Sequence, residues 1–155
     1  VLSTMNEFSR LVFTRRPSPV LADHRPLYKM GEIALVLSMS RSKRSSLPRL
    51  ALFNWALKTP ERVEALSQAA RRKKLSMATW GFDPALAVAL RFMCAEKLVV
   101  EDDGKFTLLP AGEAFAAGIL KDKTAMLAVK GDLELIGGGV TEDMVKVVAR
   151  EWKAQ

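Results

Sequence analysis

The chain has 155 residues, a formal net charge of +7 at pH 7, one cysteine and one histidine. These counts exclude an internal disulfide and a zinc site built from cysteine and histidine, and no apolar run approaches the roughly 20 residues of a membrane span, so we expect a cytoplasmic protein. The basic balance indicates a polyanionic partner, an acidic protein surface or simply a well-solvated exterior.

Residues 1–26 are predicted to form an N-terminal arm, because the prolines in this segment exclude a continuous helix. The arm contains a short apolar patch with Leu11 and Phe13, which are candidate partner-binding residues. The folded domain is expected to span residues 27–136. A glycine hinge and a C-terminal helix are expected to follow in residues 137–155.

Three helices are predicted in the first half of this domain, from the spacing of apolar residues and from local start signals. The first spans residues 27–39. The second begins after the N-cap Ser46 and runs through Leu57, and the third begins after the N-cap Thr59. Apolar residues cover nearly every direction around the second helix, so it must be buried on several sides or covered by a partner.

Two clusters of cations lie in this half of the chain, one in a predicted polar loop over residues 40–46 and one at the end of the third helix. Lysine and arginine neutralise backbone phosphates without reading bases, so both clusters are candidate nucleic-acid contacts. A solvated basic surface is the alternative. The candidate residues are Arg41, Lys43, Arg44, Arg71, Arg72, Lys73 and Lys74.

The connection that follows has Trp80 and Phe82 on either side of Gly81. Aromatic residues in a short connection usually fasten it to the core. A base-stacking platform is the alternative, and it is disfavoured because no phosphate-binding pattern surrounds the two rings.

A further helix is predicted from Pro84 to about Lys97. Asp83 is a suitable N-cap, because its carboxylate accepts from the free amides of the first turn, and proline is favoured at the first helical position. Arg91 is the candidate partner-binding residue of this helix.

A β-hairpin is predicted after this helix. The β-prone stretches 98–100 and 106–108 are joined through Asp103-Gly104, a strong signal for a two-residue turn with positive φ. Pro110 is expected to begin the next helix. The order of helix, hairpin and helix predicts a mainly α fold with a small β-hairpin, specifically a winged-helix domain with extra helices and the N-terminal arm.

The C-terminal part is predicted to contain a helix over residues 121–136, a glycine break and a last helix capped by Thr141. No strand precedes the glycines and no Gly-Lys-Ser/Thr follows, so they form no phosphate-binding loop, and a flexible hinge is expected. The candidate partner-binding residues of the last helix are Met144, Val148 and Trp152. Their apolar stripe could pack back onto the domain or bind a partner, and the sequence leaves both open.

Catalysis finds little support in the sequence. Cys94 lies within an apolar helix, far in sequence from His24, so no pair of nucleophile and base is recognisable. Carboxylates cluster only at residues 101–103, in a hairpin turn that is open to water. We therefore expect no enzyme, no metal, no cofactor and no small-molecule substrate.

The choice between nucleic acid and protein as partner depends on the helix after Asp83. A base-reading helix exposes Arg, Asn, Gln or Ser, whereas this one offers mainly Arg91, Glu96 and Lys97 among apolar residues. The acidic hairpin turn would be repelled by phosphates. A protein partner is favoured, and the alternative is a winged-helix DNA-binding transcriptional regulator in which Arg91 or Lys97 controls base preference.

Four stretches of the chain together resemble the middle component of ABC-three-component systems, the accessory subunit also found in Lamassu-type antiphage defence. The stretches cover most of the chain after residue 27. They are KRSSLPRL at 43–50 with NWALKTPE at 54–61, WGFDP at 80–84 with AEKLV at 95–99, KFTLLPAG at 105–112, and IGGGVTEDMV at 136–145.

The resemblance implies a role beside other proteins. Members of this group accompany an SMC-like or Rad50-like ABC ATPase and an effector that is commonly a nuclease. Their architecture is similar to the winged-helix subunits that bind kleisins in condensin-like complexes. The resemblance therefore implies a non-catalytic scaffold that joins ATPase and effector, with sequence-independent DNA contact within the complex as a further expectation, and it supplies no catalytic residue.

Overall fold

The computed structural model describes residues 25–76 and 80–154, with side chains through residue 151, and within them the fold is mainly helical with a small three-stranded antiparallel sheet. We number the elements in chain order. The helices are α1 (Pro26–Met39), α2 (Leu47–Ala56), α3 (Pro60–Arg72), α4 (Pro84–Ala95), α5 (Pro110–Lys121), α6 (Leu127–Ile136) and α7 (Glu142–Ala154). A 3₁₀ turn (Arg41–Lys43) precedes β1 (Arg44–Ser46), and the hairpin strands are β2 (Val99–Asp102) and β3 (Lys105–Leu108).

Local capping starts three of the helices where the sequence predicts. The Ser46 hydroxyl accepts from the amide of Arg49 at 3.3 Å, and the Thr59 hydroxyl accepts from the amide of Arg62 at 3.2 Å. Thr141 caps α7 in the same way, with the amide of Met144 at 3.3 Å. Each cap satisfies one amide that has no partner within its helix, which is why these starts are readable from the chain alone.

The hairpin forms at the predicted turn. Asp103 and Gly104 have φ angles of 54° and 78°, as a two-residue turn with positive φ at both positions requires. β2 and β3 pair antiparallel, with Val99 opposite Leu108. Strand β2 ends at Asp102, two residues later than the predicted end at Val100.

Strand β1 is a correction to the predicted polar loop over residues 40–46. It pairs antiparallel with β3, so that the sheet order is β1-β3-β2. Ser45 lies opposite Phe106 and is fully buried. Three polar residues carry no β signal of their own, and the strand exists because β3 supplies its hydrogen-bonding partner.

A second correction concerns the predicted helix over residues 121–136. Helix α5 continues through Lys121, and α6 begins only at Leu127. Between them, the Asp122 carboxylate accepts from both the amide and the hydroxyl of Thr124 at 2.9 Å. These bonds offer the backbone an alternative to the helix, and they lower the pKa of Asp122.

The core is built around α1, which packs against α4 and α5 and is buried from Lys29 to Leu37. Helix α3 packs against α6. Val140 and Val145, which follow the glycine break, belong to the same hydrophobic core. Within the described residues, no helix has both the length and the apolar character to cross a membrane.

Candidate functional site

The outer face of α4 carries an exposed aromatic side chain in its last turn. Phe92 is 47% exposed and its neighbour Arg91 is also exposed, while Val88, one turn earlier, is half-buried. The opposite face is buried in the core through Leu86, Ala89, Leu90 and Met93. Arg91 is therefore placed on the surface as the sequence predicts. Phe92 was not predicted as a surface residue from the sequence, although it lies one turn after Val88 on the same helix face.

The hairpin beside α4 adds negative charge. Strand β2 packs against α4, and Glu101, Asp102 and Asp103 are all exposed. Val100 on this strand is 44% exposed. This edge of the molecule therefore combines exposed apolar side chains and carboxylates with the exposed cations Arg91 and Lys97.

Cys94 is half-buried near the end of α4. Burial raises the pKa of its thiol, and the negative charge of Glu101 raises it further. A thiol in this setting stays protonated at neutral pH, and the thiolate is the nucleophilic form. This environment does not activate Cys94 as a nucleophile.

A polar network holds the start of α4. One oxygen of Asp83 accepts from the amide of Ala85 at 3.0 Å, and the other accepts from Asn54 Nδ2 and from Lys58 Nζ, both at 3.1 Å. Partial burial by itself raises the pKa of Asp83. The hydrogen bonds from Asn54, Ala85 and Lys58, with the charge of Lys58, outweigh that effect and lower the pKa to about 2.

The network continues into the core through Lys29, which is only 1% exposed. Its Nζ donates to Glu32 Oε1 at 2.9 Å and to Asn54 Oδ1. Neither Lys29 nor Asn54 was predicted as a site residue from the sequence. The only local signal was a lysine three residues before a glutamate in an otherwise apolar helix, and that spacing also occurs on solvated surfaces.

We expect the stability given by Asp83 to depend on pH. A carboxyl whose pKa is lowered from 3.8 to about 2 on folding contributes stability above pH 4 and loses it as the pH falls towards 2. The contribution is about 1–2 kcal/mol, allowing for solvent screening of a side chain that is 24% exposed.

The Asp83→Asn variant tests this contribution, because asparagine keeps an oxygen that can cap the helix and replaces the charged acceptor of Asn54 and Lys58 with an uncharged amide nitrogen, which cannot accept. The difference in unfolding free energy between the wild type and the variant, from urea titrations, should be largest at pH 5 and should shrink on acidification. A difference that stays constant from pH 5 to pH 2 would show that the charge of Asp83 plays no part.

The last helix packs back onto the domain, which was one of the two alternatives left open by the sequence. Val148 is 4% exposed and lies in the core, and Met144 packs against that core. Val148 therefore offers no surface to a partner in this arrangement, contrary to its candidate role. The other candidates of this group, Leu11, Phe13 and the side chain of Trp152, lie outside the described residues.

The two predicted cation clusters occupy different settings. Arg41, Lys43 and Arg44 are exposed, and so are all four residues of the cluster 71–74. Arg71 is partly engaged, since it donates to the Ser67 hydroxyl at 2.8 Å. The lining of one open groove includes Arg41 and Arg44, and it does not include residues 71–74.

The aromatic pair around Gly81 is divided by the fold. Trp80 is buried, and its indole Nε1 donates to the carbonyl of Pro48 at 3.1 Å, which fastens the connection to α2. Phe82 is 58% exposed. The expectation of an anchored loop therefore holds for Trp80 but not for Phe82.

Within the described part of the chain, no group of three or more His, Cys, Asp or Glu side chains could hold a metal ion. The chain was also compared with known proteins. No protein-family model matches it, and neither a curated protein nor a solved structure does.

Proposed function

We propose that this protein is a non-catalytic accessory subunit that links an SMC-like, Rad50-like ABC ATPase to an effector of the nuclease class in a prokaryotic defence complex against phages or plasmids. These partners are taken from the middle component of ABC-three-component systems, which four sequence stretches of this chain resemble. The geometry of α4 and the hairpin supports the choice of a protein partner.

The proposal includes a winged-helix fold. In such a domain a short strand between the first two helices pairs with the second strand of the hairpin, and one helix precedes the hairpin as the reading helix. The order α1, β1, α2, α4, β2 and β3, with the sheet order β1-β3-β2, supports this assignment. Helix α3 is then an addition, and α4 is in the position of the reading helix.

The single observation that carries the proposal is the exposed Phe92 in the last turn of α4. A helix that reads DNA bases exposes polar side chains on its outer face, because base edges are recognised by hydrogen bonds. A half-exposed phenylalanine on a helix that packs against the strand carrying the exposed Glu101 and Asp102 instead suits a groove or helix of another polypeptide. Exposed aromatic residues of this kind often carry much of the energy of a protein interface.

Co-expression with the products of neighbouring genes tests the proposal. We expect the wild-type chain to co-elute with a coiled-coil ATPase on size exclusion. The Phe92→Ser variant should lose co-elution, with an affinity at least about tenfold weaker by calorimetry, because the aromatic anchor is gone. Phe82→Ser is the matched control, since Phe82 is similarly exposed at 58% but lies before α4.

Two results would contradict the proposal. The first is elution of the wild-type chain as a free monomer in the presence of every neighbouring gene product. The second is tight binding to one defined operator sequence that depends on Arg91, as a transcriptional regulator would require.

A further inference from the structure

An open groove of about 520 Å³ lies on a different part of the surface from the α4 face. Cations from four separate elements line it. Arg41 comes from the 3₁₀ turn, Arg44 from β1, Lys105 from β3 and Lys146 from α7. Because these residues are far apart in sequence, the pairing of β1 with β3 and the packing of α7 are what bring them together.

Two of these cations have a carboxylate nearby in the fold, since Asp102 lies opposite Lys105 in the hairpin and Asp143 lies three residues before Lys146 on α7. Among the residues that the structure describes, none of the four forms an ion pair with a carboxylate. The groove also contains Glu142 and Asp143. Glu142 is held by Ser46, whose amide donates to Oε2 at 2.9 Å and whose hydroxyl donates to Oε1 at 2.7 Å. Asp143 is exposed. When Arg49 is included, the lining of the groove has five cations and two carboxylates.

The fifth cation, Arg49, gives the groove a rigid base. It is 4% exposed, its Nε donates to the carbonyl of Val140 at 2.9 Å, and its Nη1 donates to the Ser40 hydroxyl at 2.7 Å. The guanidinium also lies over the ring of Phe53, 5.0 Å from the centroid. These contacts join α2 to the end of α1 and to the segment before α7, so the walls of the groove are held in fixed positions.

We infer that this groove binds the sugar–phosphate backbone of a nucleic acid without reading its sequence. Arginine, lysine and hydroxyl groups are the usual partners of backbone phosphates, and Ser42 and Thr141 add hydroxyls to the lining. An acidic peptide is the other class of polyanion that these cations would attract. It would draw part of its affinity from apolar anchors, and the groove offers only Met39 and Val140 for that purpose.

The inference stands apart from the partner surface on α4 and does not depend on which protein binds there. The two cation clusters predicted from the sequence also differ in their relation to the groove. Arg41 and Arg44 belong to the groove, together with Lys105 and Lys146, which the sequence analysis did not select. The cluster 71–74 lies outside the lining, so it should contribute only through the general charge of the surface.

Fluorescence anisotropy with the purified full chain tests the inference, using a short labelled DNA duplex of arbitrary sequence and an RNA duplex of the same sequence. Four contacted phosphates would give a slope of about −3 to −4 for log K against log salt, a loss of roughly 100-fold from 50 to 200 mM. The Arg41→Gln/Lys146→Gln variant should bind at least about tenfold more weakly at low salt, with a slope shallower by about 2.

The matched control is Arg72→Gln/Lys74→Gln, which removes the same charge from two exposed residues outside the groove. It should change the affinity less than about threefold at low salt. Circular dichroism and thermal melting verify that both variants are folded, as expected for exposed side chains.

Binding of DNA, RNA or both with this pattern supports the inference. Whether the DNA duplex or the RNA duplex binds then identifies the type of nucleic acid. An equal or larger loss in the control variant would overturn it, since binding would then follow the other cluster or the net charge. Absence of binding to either duplex at low salt would also overturn it, as would competition by polyglutamate at the same charge concentration.

Discussion

A Gly112→Ala variant is expected to lose about 3 kcal/mol or more of unfolding free energy, or to fail to fold. Gly112 lies in the first turn of α5, which crosses the chain where it enters β2. A Cβ at this position would lie well inside 3.0 Å of the Leu98 carbonyl oxygen. That oxygen is backbone, and it already accepts from the amide of Leu109 at 2.9 Å, so it cannot move aside without disturbing the hairpin.

Gly118→Ala is the matched control, because it makes the same change in the same helix. Nothing lies within 4 Å of a Cβ at Gly118, which is exposed. Alanine there should stabilise the protein by about 0.5–1 kcal/mol, since glycine is unfavourable inside a helix. Chemical denaturation of both variants measures the contrast. Equal stability of the two variants would show that α5 does not approach the strand as closely as described.

A Lys29→Met variant is expected to lose about 3 kcal/mol of unfolding free energy. Methionine fills most of the volume of the lysine side chain but removes its charge. Glu32, which is 6% exposed, then loses the ammonium that donates to it at 2.9 Å, and Asn54 loses a donor as well. A buried carboxylate that loses one charged donor is destabilised more than an exposed one, because water cannot take the place of that donor.

Adding Glu32→Gln to Lys29→Met should restore at least half of the lost free energy, because the buried charge is then removed with its partner. Lys58→Met is the control. Lys58 pairs with Asp83 at 3.1 Å, but its side chain is 27% exposed, so its removal should cost less than about 1 kcal/mol. Denaturant titration of all three variants measures these values. No loss in Lys29→Met, or no recovery in the double variant, would contradict the account of the pair.

The candidate surfaces were only partly predictable. Arg91 could be assigned to an exposed position from its place in an apolar helix, and the acidic turn after β2 was readable directly. Phe92 could not be assigned, because aromatic residues in helices are usually buried and only the packing of α4 against α1 shows which side faces outwards. The last helix was undecided for the same reason. Its stripe suits either a partner or the core, and the fold buries Val148.

Features that depend on neighbours along the chain can be predicted from the amino-acid sequence alone. The caps at Ser46, Thr59 and Asp83 and the turn at Asp103-Gly104 are interactions within four residues, so a linear pattern contains everything they need. Strand β1, the buried charge of Lys29 and the arrangement of cations in the groove could be seen only in the folded chain. These features arise from contacts between segments that are distant in sequence, and their residues have no local preference for the positions they occupy.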